Sequence, residues 1–265
     1  MGMTSGVAVA SADGGVQSVE RAFDLLERIT TAGGEVSISQ LAESAPLPLP
    51  TIHRLLRTLV LSGYVRQLPS RRYGLGPGLI RLGEIASRQL GAWARPYLAD
   101  VVEGLGETAN MAILDGDTAT YVAQVPSAHS MRMFTEVGRH VHAHASGVGK
   151  AILSQLDDER VRTVVGRAGM PTPTPNSIGD VDTLIEELDR IRARGYAIDD
   201  GEQELGVRCF AVPVPGMPIP TAISVSGPVT RVDDAFAERA VPILMETARI
   251  IATDTHADQS APPRE

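Results

Sequence analysis

Between Glu43 and Glu84 the chain has no acidic residue, yet the interval holds Arg54, Arg57, Arg66, Arg71, Arg72 and Arg81. Guanidinium groups are planar, permanently charged and forked, so a run of them without carboxylates is a surface for phosphates and guanine edges. A solvated charged face would mix both signs. A second set of residues has different chemistry. Ser146-Gly147-Val148-Gly149-Lys150 opens a helix whose first amides can receive an anion, or whose glycines allow a tightly packed start. Ser224 and Ser226 alternate along a strand and share a face, Cys209 begins a neighbouring strand, and Asp199 ends another. Together, hydroxyls, a thiol and a carboxylate beside a helix start suit a short oxo-acid. Taken singly, each also reads as a satisfied polar group of a core.

Other chemistries are disfavoured. The glycine-rich stretch is not a nucleotide phosphate loop, because His144 stands at its first glycine and Ala151 replaces the hydroxyl that would hold magnesium. Lys150, the only lysine, has no nucleophile or acid–base partner at interpretable spacing and reads as surface or ion-paired. An enzyme would need a dyad among Asp199, Cys209, Lys150 and the histidines. His140, His142 and His144 alternate as on one strand face, a spacing that can seat zinc, although such a set near a strand end is more often solvated. No metal or cofactor is expected. A single cysteine excludes an internal disulfide and a cysteine-only zinc site.

The arginine window needs elements to present it. Behind the cap-like Ser18, Val19, Phe23, Leu26 and Ile29 fall at helical spacing, and Gly33-Gly34 ends that helix. Ser37 caps a short helix carrying Ile38 and Leu41, which Pro46 to Pro50 stops. Pro50 suits the first turn of a third helix, with Ile52, Leu55, Leu56, Leu59 and Val60 as the buried stripe until Gly63. Opposite that stripe lie Thr51, His53, Arg54, Arg57 and Thr58, the candidate base and phosphate contacts. Two short strands, 64–66 and 72–75, then form a hairpin carrying Arg66, Arg71 and Arg72 toward phosphates. Three helices and a basic hairpin make a winged helix-turn-helix, its third helix suited to a major groove of double-stranded DNA.

A linker helix over 78–90 has an apolar stripe that needs a partner, and a second copy of the chain supplies one, matching a two-fold operator. Beyond it the spacing predicts an α+β domain with a mostly antiparallel sheet. Its elements are a helix through Tyr97 and Leu105, strands at 111–114, 121–125 and 131–137, a helix from Ser146, helices at 159–167 and 181–194, strands at 196–199, 209–214 and 221–226, and a final helix over 233–252. The resulting division is 1–17 and 254–265 as flexible tails, 18–76 as the winged helix-turn-helix, 77–93 as linker helix and 94–253 as a ligand-binding domain. The chain of 265 residues is 43% hydrophobic, enough for two cores, and its net charge of −8 makes the arginine window a local exception. With no apolar run long enough to span a bilayer and no signal-peptide pattern, a cytoplasmic, membrane-free protein is expected.

The stretches LPLPTIHRLLRTLVLSGYV, YGLGPGLIRLG, HASGVGKAIL, RGYAIDDGEQELGVRCFAVPV and AISVSGP resemble, in order, motifs of the IclR family of bacterial regulators. The resemblance spans about Val16 to Ala252. It implies a winged helix-turn-helix, a GAF-like effector domain, and dimers that pair into homotetramers on operator DNA. Likeness to the family's glyoxylate-type regulators implies repression and a small carboxylate effector such as glyoxylate. The matching effector positions are Met133, Gly147, Val148, Asp199, Val207, Cys209, Ser224 and Ser226, with Val148 in place of a smaller alanine. Regulation of aromatic-acid catabolism, by activation or repression, is the alternative within the family. Pro46 and Pro50 depart from its usual turn glycine and polar cap.

Overall fold

The structure is a computed structural model that describes residues 15–130 and 136–259, with side chains through residue 255. These residues form two compact units, one ending at Arg88 and one starting at Gln89.

In the N-terminal unit, α1 (Gln17–Thr31) starts one residue earlier than Ser18 predicts: its N-cap is Val16, with no side-chain cap. Ser18 therefore lies inside the first turn, where the buried stripe Leu25, Leu26 and Ile29 holds the helix without help from a cap. Strand β1 (Glu35–Val36) follows Gly33 and Gly34, both at positive φ. In α2 (Ile38–Ser44) the Ser37 hydroxyl accepts from the Gln40 amide while the Gln40 side chain accepts from the Ser37 amide, a reciprocal capping box. Proline opens α3 (Leu49–Leu61), where a missing N–H costs nothing. Strands β2 (Val65–Gln67) and β3 (Tyr73–Leu75) pair antiparallel, and β1 joins β3 on its other side. The sequence hairpin is thus a three-stranded wing. Leu25, Ile29, Leu41, Ile52, Leu56 and Val65 form the core beneath it, each contributing roughly 1.5–3 kcal/mol by burial. Helix α4 (Gly78–Leu90) buries no residue.

The C-terminal unit contains α5 (Arg95–Leu105), β4 (Thr108–Asp115), β5 (Thr118–Val125), β6 (His140–Val141), α6 (Gly147–Leu153), α7 (Asp158–Ala168), α8 (Val181–Arg194), β7 (Ala197–Asp200), β8 (Val207–Val214), β9 (Thr221–Pro228) and α9 (Asp234–Gln259). Six strands make one antiparallel sheet in the order β6-β5-β4-β9-β8-β7. Alternation along each strand divides the apolar residues between two faces. Met111, Phe210, Val212, Ile223 and Val225 pack against α5 and α9, whereas Ala112, Tyr121, Cys209, Ala211 and Ala222 pack with residues of α6, α7 and α8. Asp157 and Asp180 cap α7 and α8 through their side chains.

Two further expectations change. The last helix continues to Gln259, past the polar tail's expected start at 254, because Thr253 and Thr255 return their hydroxyls to carbonyls one turn back and Asp254 accepts from the Tyr97 hydroxyl at 2.6 Å. The three histidines do not share a strand face: β6 ends at Val141, and His144 sits in a short 3-10 turn, fully buried, its Nε2 at 2.9 Å from the Pro171 carbonyl oxygen. Among the described residues, no three histidine, cysteine or acidic side chains cluster as a metal site. The strand expected over 131–137 falls mainly on residues 131–135, which lie outside the described set, as do 1–14 and 260–265. No helix of the described residues is long and apolar enough to cross a membrane.

Candidate nucleic-acid interface and ligand pocket

Burial of Ile52, Leu55, Leu56 and Leu59 turns the other side of α3 outward, so His53, Arg54, Arg57 and Thr58 are exposed and Thr51 is half-buried. Thr58 returns its hydroxyl to the Arg54 carbonyl at 3.2 Å, which occupies its proton. On the wing, Arg66 and Arg71 are exposed. Arg71 adopts a positive φ of 62°, rare for a side-chain-bearing residue, at a tight turn in which the Leu68 amide donates to the Arg72 carbonyl at 2.8 Å. Arg72 is half-buried and donates to the Glu35 carbonyl at 2.8 Å, tying β1 to the hairpin. Among the described residues, none of these arginines has a carboxylate within ion-pair distance. Among the described residues, no carboxylate neutralises their charges.

In the C-terminal unit the sheet register does what spacing alone could not. Asp199 lies opposite Cys209, Cys209 opposite Ser226, and Ser226 opposite Thr108, so one residue from each of β7, β8, β9 and β4 forms a row. The adjacent row is Ala197, Ala211, Ser224, Asn110 and Gln124. Both rows are on the face that meets α6. A Cβ on Gly147 would stand 2.9 Å from Cys209 Sγ and 3.5 Å from Asp199 Cβ, so this glycine brings the helix start directly onto the first row. Gly149 has the other role proposed for such glycines: a Cβ there would be 2.3 Å from the Ala143 carbonyl oxygen, so its absence permits close packing. Ser146 caps the helix by accepting from the Gly149 amide at 3.2 Å. Val148 is completely buried in the same apolar cluster, and Val207 is half-buried two residues before Cys209. Met133 lies outside the described residues.

The electrostatics of this face follow from its dryness. Asp199 is 5% exposed; burial pushes its carboxyl above the ordinary range, opposed by amides of Glu202 and Gln203 and by the Lys150 charge. Burial, and then the Asp199 charge, push the Cys209 thiol up to about 12. That thiol is protonated at neutral pH and cannot serve as a nucleophile. Lys150 is not on the surface: it is 1% exposed and donates to Glu202, whose second oxygen is buried without a partner. Burial also raises the Glu202 carboxyl, against the pull of Lys150. The Ser224 hydroxyl is fully buried; it interacts with the Cys209 thiol, working against the rise of that thiol, and has no oxygen or nitrogen partner among the described residues. A thiol is a weak hydrogen-bond partner, so Ser224 retains unused hydrogen-bonding capacity.

Sequence reasoning missed Asn110, Thr108, Tyr121, Lys150 and Glu202 as members of this face. For β4 the signal was present: Thr108 and Asn110 interrupt apolar residues at the same two-residue interval as Ser224 and Ser226.

Residues 18–69 match the family described as IclR helix-turn-helix domain, and residues 83–253 match the one described as Bacterial transcriptional regulator IclR C-terminal. The chain belongs to the IclR family. Over 241 residues it is 39% identical to the Transcriptional repressor IclR of Escherichia coli (strain K12), covering 88% of each chain. It is 32% identical to the HTH-type transcriptional repressor AllR of the same strain over 254 residues, 94% of this chain and 93% of that one. Among solved structures, the IclR transcriptional regulator of Alicyclobacillus acidocaldarius superposes with a TM-score of 0.78 at 30% identity, over 90% of this chain and 98% of that one. This IclR-family member is accordingly a DNA-binding transcriptional regulator and not an enzyme.

Proposed function

We propose that this regulator is a repressor whose hold on its operator is modulated by a small oxo-acid, such as glyoxylate, bound against the β7-β8-β9 face. In this reading the segment 18–76 is the DNA-binding domain and 94–253 the effector domain. Thr51, His53, Arg54, Arg57 and Thr58 face the major groove, and Arg66, Arg71 and Arg72 contact the backbone. The relatives' printed names, both repressors, support the sign of regulation. A second copy of the chain covers the apolar residues left exposed on α1 and α4, among them Val19, Phe23, Ile80 and Ile85, giving the dimer and tetramer that a two-fold operator requires.

The observation that carries the effector reading is the row Asp199, Cys209 and Ser226 beneath Gly147, with the neighbouring Ser224 hydroxyl buried and, among the described residues, without an oxygen or nitrogen partner. Ligand oxygens satisfy what the protein leaves open. The test is a mobility-shift assay with the chain's own upstream DNA. Nanomolar protein is expected to retard the fragment at physiological salt, and millimolar glyoxylate to release or reinforce the complex. DNA retarded equally with and without every small carboxylate tried, pyruvate and 4-hydroxybenzoate included, would remove the effector reading while leaving the repressor. Retention of the response by 4-hydroxybenzoate alone would move the ligand class to aromatic acids.

A further inference from the structure

One polar chain on the β4-β9 face is not explained by holding the fold together. Asn110 is 1% exposed at the middle of the sheet and lies opposite Ser224 on one side and Gln124 on the other. The Gln124 side-chain amide donates to Asn110 Oδ1 at 3.1 Å, and Asn110 Nδ2 donates to Ser226 Oγ at 3.3 Å. The direction of donation matters. A hydroxyl has one proton and two lone pairs. With Asn110 donating into one lone pair, the Ser226 proton is left to point elsewhere, and among the described residues no acceptor takes it. Two residues away on the same face stands the Ser224 hydroxyl, beside the Cys209 thiol and without an oxygen or nitrogen partner among the described residues.

Thr108, the cross-strand neighbour of Ser226, accepts from the Ser127 amide at 3.1 Å, and so turns toward that loop. An amide buried between two strands is expensive unless each hydrogen bond it makes has a use. Leucine shares the branched side-chain shape of asparagine and would carry no polar group to desolvate at this position.

We propose that Asn110, braced by Gln124, is a positioning residue that orients the Ser226 hydroxyl as a donor toward an anionic ligand. It thereby makes the site selective for acceptor-bearing acids. This inference rests on the effector reading above and assigns to it a residue outside the row that faces Gly147. Polarisation along the Gln124-Asn110-Ser226 chain strengthens the terminal donor, and the fixed orientation removes rotational freedom that would otherwise be lost on binding.

The test is a double-mutant cycle by titration calorimetry on the full chain, with glyoxylate and pyruvate titrated in parallel. Asn110→Leu and Ser226→Ala are each expected to weaken binding roughly tenfold, the loss of one hydrogen bond to a charged acceptor. The double variant is expected to be no weaker than Ser226→Ala, because Asn110 acts through that hydroxyl. A purely structural asparagine would give additive losses, and additive losses overturn the proposal. So does wild-type or tighter binding in Asn110→Leu, the result expected if Asn110 accepted the serine proton. Gln124→Met, at a half-buried position, keeps the question open to measurement if Asn110→Leu does not fold: a several-fold loss that vanishes in the Ser226→Ala background supports the chain, and no loss overturns it. A wild-type protein that binds neither acid overturns the effector reading together with this inference, whereas a wild type that binds and an Asn110→Leu variant that binds equally well overturn the inference alone.

Discussion

Lys150 and Glu202, on α6 and on the loop after β7, form a largely buried ion pair, and among the described residues only one carboxylate oxygen of Glu202 has a partner. Removing either partner strands the other charge in a dry interior. Lys150→Met is therefore expected to destabilise the protein by about 3–5 kcal/mol, with Glu202→Gln similar or somewhat milder. The joint variant, in which neither charge remains, should recover much of the loss. Urea unfolding followed by circular dichroism measures all three, and simple additivity would show that the pair does not act as a unit.

Asp199 gives a pH dependence whose sign is set by its burial. Its folded-state carboxyl lies above the ordinary 3.8, with burial and Asp200 raising it and Lys150 and two amides lowering it. An acid raised on folding contributes stability that is complete below its unfolded value and lost as pH rises through the folded one. Asp199→Asn, which cannot ionise but keeps an oxygen for the amides of Glu202 and Gln203, should therefore melt higher than wild type at neutral pH. A gain of about 1 kcal/mol corresponds to about 2–4 °C in a chain of this size. The gap should close toward acid pH; a gap independent of pH contradicts the assignment.

The same charges bear on binding. Asp199 and Glu202 share their surroundings with Lys150, Cys209 and Tyr121; the Lys150 charge acts on both carboxyls, and Arg139 acts on Tyr121. An incoming carboxylate adds a third negative charge, so its affinity should fall as pH rises, with proton uptake visible in calorimetry repeated in buffers of different ionisation enthalpy. Asp199→Asn should reduce that uptake.

At the start of α6 two glycines should behave differently. Gly147→Ala places a methyl against a thiol that can shift, so the protein should fold with a loss of about 1–3 kcal/mol while ligand binding is impaired. Gly149→Ala pushes against backbone and should prevent folding of the C-terminal unit. Expression of soluble protein and a ligand thermal shift separate the two.

Cys209 is buried and protonated, so its alkylation by iodoacetamide at pH 8 should be slow in folded protein and rise steeply across the urea transition. Rapid labelling without unfolding would show that the thiol is open to solvent.

On DNA, Arg66→Ala or Arg71→Ala should weaken binding to all sequences alike and lower the slope of log affinity against log salt by about one. Arg54→Ala or Arg57→Ala should instead cost about 1–3 kcal/mol on the operator and relax preference at one base position. Thr58→Val should matter least, since its proton already serves the Arg54 carbonyl. Fluorescence anisotropy at several salt concentrations distinguishes these outcomes.

The helices were legible because their signals are local. The leucine stripe of α3, the capping box at Ser37 and Gln40, and the glycines after α1 and α8 act within a few residues. The helix over 181–194 was readable end to end, and the structure ends it at Gly195. Strand β1 escaped notice because two residues have no periodicity, and only β3 gives them a reason to be extended. The histidines misled because an alternating pattern says nothing about where a strand stops.

The arginine window is a property of the sequence: an absence of carboxylates over a continuous stretch stays an absence however the chain folds, and amphipathic helices oblige the remaining charges to face outward. The polar row is a property of the tertiary structure. Asp199, Cys209, Ser226 and Thr108 are far apart along the chain, and only the register of β7, β8, β9 and β4 makes them a row. A one-residue slip would send any one of them to the opposite face. Burial then decided the chemistry, keeping the Cys209 thiol protonated, enclosing Lys150 with Glu202 and leaving the Ser224 hydroxyl, among the described residues, without an oxygen or nitrogen partner.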